Sequence, residues 1–187
     1  MRASRLSFAV AALLLSGLVG ASAAPPTAKP DTGIGPVTKL PLPRYASLKT
    51  DRVNLREGPS KDHRTLWVFQ RAGLPVEIVG EFETWRRIRD SEGTEGWVLH
   101  SLLSGRRTAI VNAGPDKGAE KAAVSLRAKA DEGAEDEARL QTGVIGSVKS
   151  CTGTWCRLIV TLPNRRDVDG YIRQTRLWGV YPNEVVE

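Results

Sequence analysis

From Arg44 onward the chain runs in short apolar–polar alternations broken by turn signals. Val53-Asn54-Leu55-Arg56 alternates residue by residue and meets the turn Glu57-Gly58-Pro59-Ser60. Thr65–Phe69 is a second run, closed by Arg71-Ala72-Gly73, and Val76–Val79 is a third. Glu83-Thr84 then turns into Trp85-Arg86-Arg87-Ile88-Arg89, and Ser91–Gly96 loops into Trp97-Val98-Leu99. A period of two in runs this short, with Gly, Pro, Asn and Ser between them, predicts strands joined by tight turns. Strands so short and closely spaced close into a small barrel or sandwich.

The second half repeats the first in order. Val53–Arg56 returns as Val124-Ser125-Leu126-Arg127, Gly73 as Gly143, and Trp85–Ile88 as Trp155-Cys156-Arg157-Leu158. Gly96-Trp97-Val98 returns as Gly170-Tyr171-Ile172. A period of roughly 70 residues is too long for a solenoid unit and suits a duplicated domain. Ile88 and Leu158 fall on the inward face of their strands. Trp97 and Tyr171 read as core anchors, each following a glycine that marks close backbone approach. Trp85 and Trp155 fall at hairpin turns, where partial exposure is expected.

These segments resemble the bacterial SH3-like domains of secreted proteins. The residues that carry the likeness are Val53–Pro59, Gly73–Val79, Trp85–Arg89 and Gly93–Val98. It spans Tyr45 to Leu103 and, more loosely, Ala122 to Val180, where Ala128-Lys129-Ala130 replaces the Glu-Gly-Pro turn. The acidic run Asp131–Glu137 is expected to enlarge a loop there. The resemblance implies an all-β chain of two tandem, strongly bent barrels of five to six strands, with roles in binding cell wall or protein.

The N-terminus reads differently. Arg2 and Arg5 precede an apolar stretch from Leu6 to Val19, followed by Ala21-Ser22-Ala23-Ala24. This is the three-part pattern of a cleaved secretory signal, and the apolar run is short for a membrane span. Residues 25–43, rich in Pro, Thr, Gly and Lys, read as an extended linker. The resulting division is 1–24 signal peptide, 25–43 linker, 44–111 first barrel and 112–187 second barrel. The barrels are expected to join near Thr108 to Lys121. The mature chain, with no membrane span, is expected in the periplasm or outside the cell.

Chemistry adds little to this picture. The net charge of +6 is mild, and its excess gathers around Arg86, Arg87, Arg89, Arg106 and Arg107 without the basic stripe of a nucleic-acid binder. Cys151 and Cys156, the only cysteines, flank Thr152–Trp155 and are expected to bridge in an oxidising compartment. The two histidines, His63 and His100, lie in the other repeat, so neither a zinc set nor a Cys–His nucleophile assembles. No cofactor motif or catalytic constellation is present, and the barrels fill nearly the whole mature chain. Alternation places Trp85, Arg87 and Arg89 on one strand face, with Trp155 and Arg157 as their counterparts. Arginine pairs with carboxylates in two-pronged fashion, and peptidoglycan stem peptides carry carboxylates. The reading is an exported, non-catalytic module that binds peptidoglycan or an envelope protein. The alternatives are a structural subunit of an envelope complex and an accessory to, or remnant of, a wall hydrolase.

Overall fold

The structure is a computed structural model that describes residues 33–112 and 123–187. The signal-peptide reading and part of the proposed linker fall outside these residues. Two small strands, β1 (Gly33–Ile34) and β2 (Pro41–Leu42), pair with each other. The first barrel follows: β3 (Arg44–Leu48), β4 (Val53–Arg56), β5 (Thr65–Phe69), β6 (Pro75–Phe82), β7 (Trp85–Arg89), β8 (Glu95–Leu99) and β9 (Leu103–Ser104). The second contains β10 (Thr108–Val111), β11 (Val124–Arg127), β12 (Asp136–Leu140), β13 (Ile145–Thr152), β14 (Trp155–Thr161), β15 (Asp167–Arg173), β16 (Leu177–Trp178) and β17 (Val185–Val186).

The strand orders are β5-β4-β8-β7-β6-β3-β9 and β12-β11-β15-β14-β13-β10-β16. Every strand of the first sheet has its counterpart at the same place in the second, and among the described residues only β17, paired to β13, is extra. Each sheet is bent by β-bulges at matching sites, between Ile78 and Gly80 and between Val148 and Ser150 on the long strands. The bend closes each sheet over one core. Val53, Leu55, Val76, Ile88 and Val98 fill the first, and Leu126, Cys156, Leu158, Val160 and Ile172 the second. Gly96 and Gly170 make that closure possible. A Cβ on Gly96 would stand 2.6 Å from Leu55 Cγ and 2.8 Å from the Arg56 carbonyl, and one on Gly170 would meet Leu126 and Arg127 at 2.7 and 2.8 Å.

Several expectations need correction. Thr108–Val111 pairs with β13 and β16, so it is the first strand of the second barrel and the division at residue 111 lies one strand too late. Residues 33–43 are not an open linker. Their chain folds back through β1 and β2 onto the first barrel, where the Glu81 carboxylate accepts hydrogen bonds from the Val37 and Thr38 amides and the Thr38 hydroxyl. The acidic loop is not enlarged. Glu57 N–H closes the first loop on the Arg64 carbonyl, and Ala128 N–H closes the second on the Glu135 carbonyl, over the same number of residues. Trp97 and Tyr171 are half-buried, and the core positions are their neighbours Val98 and Ile172.

The barrels dock through an aromatic and charged contact. Tyr45 meets Trp178 edge-on at 5.2 Å and Tyr181 at 4.6 Å, and the Arg107 guanidinium lies 5.8 Å from the Tyr45 ring. The Tyr181 hydroxyl donates to the buried Glu77 carboxylate at 3.0 Å, and Thr108 and Arg71 donate across the seam to the Gly73 and Gly143 carbonyls. Burial, then the Glu77 charge, pushes the Tyr45 phenol up to about 12 and raises Tyr181 as well, so both hydroxyls stay protonated.

Candidate functional site

The outward face of β4 begins the site. Val53 and Leu55 point into the core, so Arg52, Asn54 and Arg56 point out together. They line a groove of about 270 Å³ whose apolar side is Trp85, Leu99 and Leu102, with Lys61 across the loop that follows β4. Trp85 and Leu99 face each other in register on β7 and β8. Arg56 donates to the Lys61 and His63 carbonyls, which shapes the loop without neutralising the guanidinium. An apolar wall beside Arg52, Arg56 and Lys61, with no carboxylate in the lining, suits a ligand that joins an apolar portion to a carboxylate.

The residues expected to form the site are placed differently. Trp85 is 6% exposed and Trp155 8%, so neither is the partly exposed anchor that a hairpin end suggested. Arg89 stands in register between Glu77 on β6 and Glu95 on β8, bonding them at 3.2 and 2.8 Å. The hydrogen bond to Glu95, foremost, holds its guanidinium firmly protonated. Arg87 also bonds Glu95, and Arg157 grips Asp169 through two bonds of 2.9 and 2.6 Å. That pairing lowers Asp169 and raises Arg157. The same diagonal pair thus stands in both barrels, and its arginines are engaged within the sheet. The structure brings Trp85 together with Arg52, Arg56 and Lys61 instead of Arg87 and Arg89. The alternation of Val53-Asn54-Leu55-Arg56 held that signal, since it places the polar positions on one face.

The second barrel fills the equivalent place with different charges. Arg173 stands opposite Trp155 where Leu99 stands opposite Trp85. Its guanidinium lies 4.4 Å over the Trp155 ring and bonds Glu132 at 2.5 Å. Asp136 faces Arg127 and bonds it at 2.8 Å, where Thr65 faces Arg56. Cys151 and Cys156 face each other across the β13–β14 hairpin with sulfurs 2.00 Å apart, and β17 pairs beside them. Among the described residues no group of His, Cys, Asp and Glu is arranged to hold a metal ion, and no helix is long and apolar enough to cross a membrane. Trp67, which the sequence reading passed over, is 60% exposed on the edge strand β5.

A family model described as bacterial SH3 domain matches residues 49–105 and again 120–179. Two solved structures from Trichomonas vaginalis, NlpC2 and NlpC1, align at 12% identity each, over 73% and 77% of this chain and 48% of theirs. Their TM-scores are 0.31 and 0.32, and this chain spans about half their length. No curated protein matches the chain.

Proposed function

The chain belongs to the bacterial SH3 domain family, with two copies in tandem, and from that premise we propose that it is an exported, non-catalytic module that binds peptidoglycan through the first barrel. The observation that carries this reading is the groove beside Trp85, where Arg52, Arg56 and Lys61 stand next to an apolar wall and the described lining residues include no carboxylate. Stem peptides present carboxylates on a short, partly apolar chain, which is the chemistry such a groove accepts. Bacterial SH3 domains carrying a disulfide suit an oxidising, extracytoplasmic compartment. The signal-like N-terminus supports export, to the periplasm or beyond.

Co-sedimentation with purified sacculi tests the reading. The mature protein is expected to pellet with sacculi, and Arg56→Ala with Lys61→Ala to lose at least tenfold in affinity while its circular dichroism stays unchanged. Trp85→Leu tests the apolar wall without emptying it. A folded Arg56, Lys61 variant that binds sacculi as well as the parent removes the groove from the account. A second reading, docking onto an envelope protein, is favoured by Trp67 and Leu66, both exposed on an edge strand that is open to pairing. In that case Trp67→Ala abolishes capture of the envelope partner and leaves sacculus binding unchanged.

A further inference from the structure

We infer that the place in the second barrel equivalent to the first barrel's groove is occupied by a carboxylate of its own chain, that of Glu132, so that anionic ligands bind the two barrels unequally. The inference rests on the reading of the first groove as the binding site, and it comes from position-by-position comparison of the duplicates. The loops after β4 and β11 close over equal spans, and Arg56 and Arg127 each donate to a carbonyl at the same offset, His63 and Ala134. Lys61 therefore corresponds to Glu132. Trp85 corresponds to Trp155, and Leu99 to Arg173, by their shared register across β7–β8 and β14–β15.

The two exchanges act together. Glu132 lies within 2.5 Å of Arg173 and 4.0 Å of Arg127, so one internal carboxylate bridges two guanidiniums. Arg173 in turn covers the face of Trp155 at cation–π distance. What the first barrel offers to a ligand, a cationic rim beside an apolar wall, the second satisfies from within. Asp136 completes the neutralisation of Arg127, where Thr65 leaves Arg56 without a carboxylate. Glu132 and Arg173 remain 60% and 39% exposed, so the pair is a displaceable occupant and not a buried lock. An incoming carboxylate competes with Glu132 for the same guanidiniums.

Indole N–H resonances of Trp85 and Trp155 report the two grooves separately in one NMR titration. The probe is soluble muropeptides released from sacculi, with their stem carboxylates free. In the parent, the Trp85 signal is expected to respond at concentrations at least tenfold lower than the Trp155 signal. Glu132→Lys with Arg173→Leu gives these two positions the residues of the first barrel, with Asp136 still beside Arg127, and is expected to lower the concentration at which Trp155 responds by at least about threefold. Glu132→Gln serves as the conservative variant and is expected to move it part of the way. A folded double variant whose Trp155 response is unchanged overturns the inference. If neither indole responds in the parent, the peptidoglycan reading fails on its own, and the ligand-free spectra decide the inference. Glu132→Gln and Arg173→Leu must each shift the Trp155 indole without ligand, and an unmoved signal in both overturns it.

Discussion

Replacing Glu81 with Gln is expected to release the N-terminal clip and to cost about 3 kcal/mol at neutral pH. The side chain of Glu81 is fully buried on β6, yet it accepts from the Thr38 hydroxyl at 2.6 Å, the Thr38 amide at 2.8 Å, Arg44 at 2.7 Å and the Val37 amide at 3.0 Å. Arg86, itself buried, lies 3.6 Å away. Burial by itself raises the carboxyl, but the bonds from Thr38, Arg44 and Val37 outweigh it and bring the pKa from 4.5 down to about 2. At about 1.36 kcal/mol per pK unit that difference is worth about 3 kcal/mol. Its sign is fixed. A carboxyl depressed in the folded state contributes fully above its ordinary pKa, and the contribution drains away as pH falls toward about 2. Gln keeps the shape but loses the charge facing Arg44 and Arg86, and its amide nitrogen confronts donors it cannot accept from.

Denaturant unfolding of parent and Glu81→Gln from pH 7 to pH 3 measures this directly. The gap is expected near 3 kcal/mol at pH 7 and is expected to narrow steadily below pH 5. Amide exchange at Val37 and Thr38 is expected to quicken about a hundredfold in the variant, because both amides lose their charged acceptor. A gap that stays constant from pH 7 to pH 3, or unchanged exchange at both amides, refutes the argument. Either result would mean that the clip is held by contacts other than the Glu81 charge, such as Leu42 in the first core.

Three other perturbations test other parts of the fold. Tyr181→Phe removes a hydrogen bond to the buried Glu77 and is expected to weaken docking of the barrels by about 1.5–3 kcal/mol, seen as two melting transitions where the parent shows one. Joint replacement of Cys151 and Cys156 by Ser is expected to cost about 2 kcal/mol, the chain-entropy value for so short a loop, and to free β17, read by denaturation and by exchange at Val186. Glu83→Gly is expected to stabilise the first barrel by up to about 1 kcal/mol in thermal melts. Glu83 holds φ at 46° in a hairpin turn where the second barrel has Gly153 at 89°.

The strands were legible because period-two alternation, turn residues and the duplication pointed to the same elements. Thr65–Phe69 and Trp85–Arg89 fall where the pattern puts them, and the close approach at Gly96 and Gly170 is what the glycine–aromatic pair signalled. The partners of charged residues were not legible. Arg89 sits between Glu77 and Glu95 only because β6, β7 and β8 pair in that register, and residues 77 and 89 carry no local sign of it. The clip was missed for a similar reason. Residues 33–43 have no apolar period of their own, and what orders them is a carboxylate about forty residues away. Thr108–Val111 was assigned to the wrong barrel because a strand shows its inward face in sequence but not which sheet it joins.

The seam between the barrels shows how a duplication can dock onto itself without forming an endless chain. Strands β3 and β10 are counterparts, and both lie at the seam. Matching register makes Tyr45 the equivalent of Thr108, Glu77 of Ser147, and Trp178 of Ser104. At each pair one barrel carries a large or charged residue and the other a small one. Tyr45 of the first barrel then meets Trp178 and Tyr181 of the second, while Thr108 is small enough to bond the Gly73 carbonyl directly. Two identical copies would set Tyr against Ser at both places and leave Glu77 without the Tyr181 hydroxyl. Divergence at these positions gives one specific pairing of first barrel with second, and the same freedom to diverge set Glu132 and Arg173 where the first barrel keeps Lys61 and Leu99.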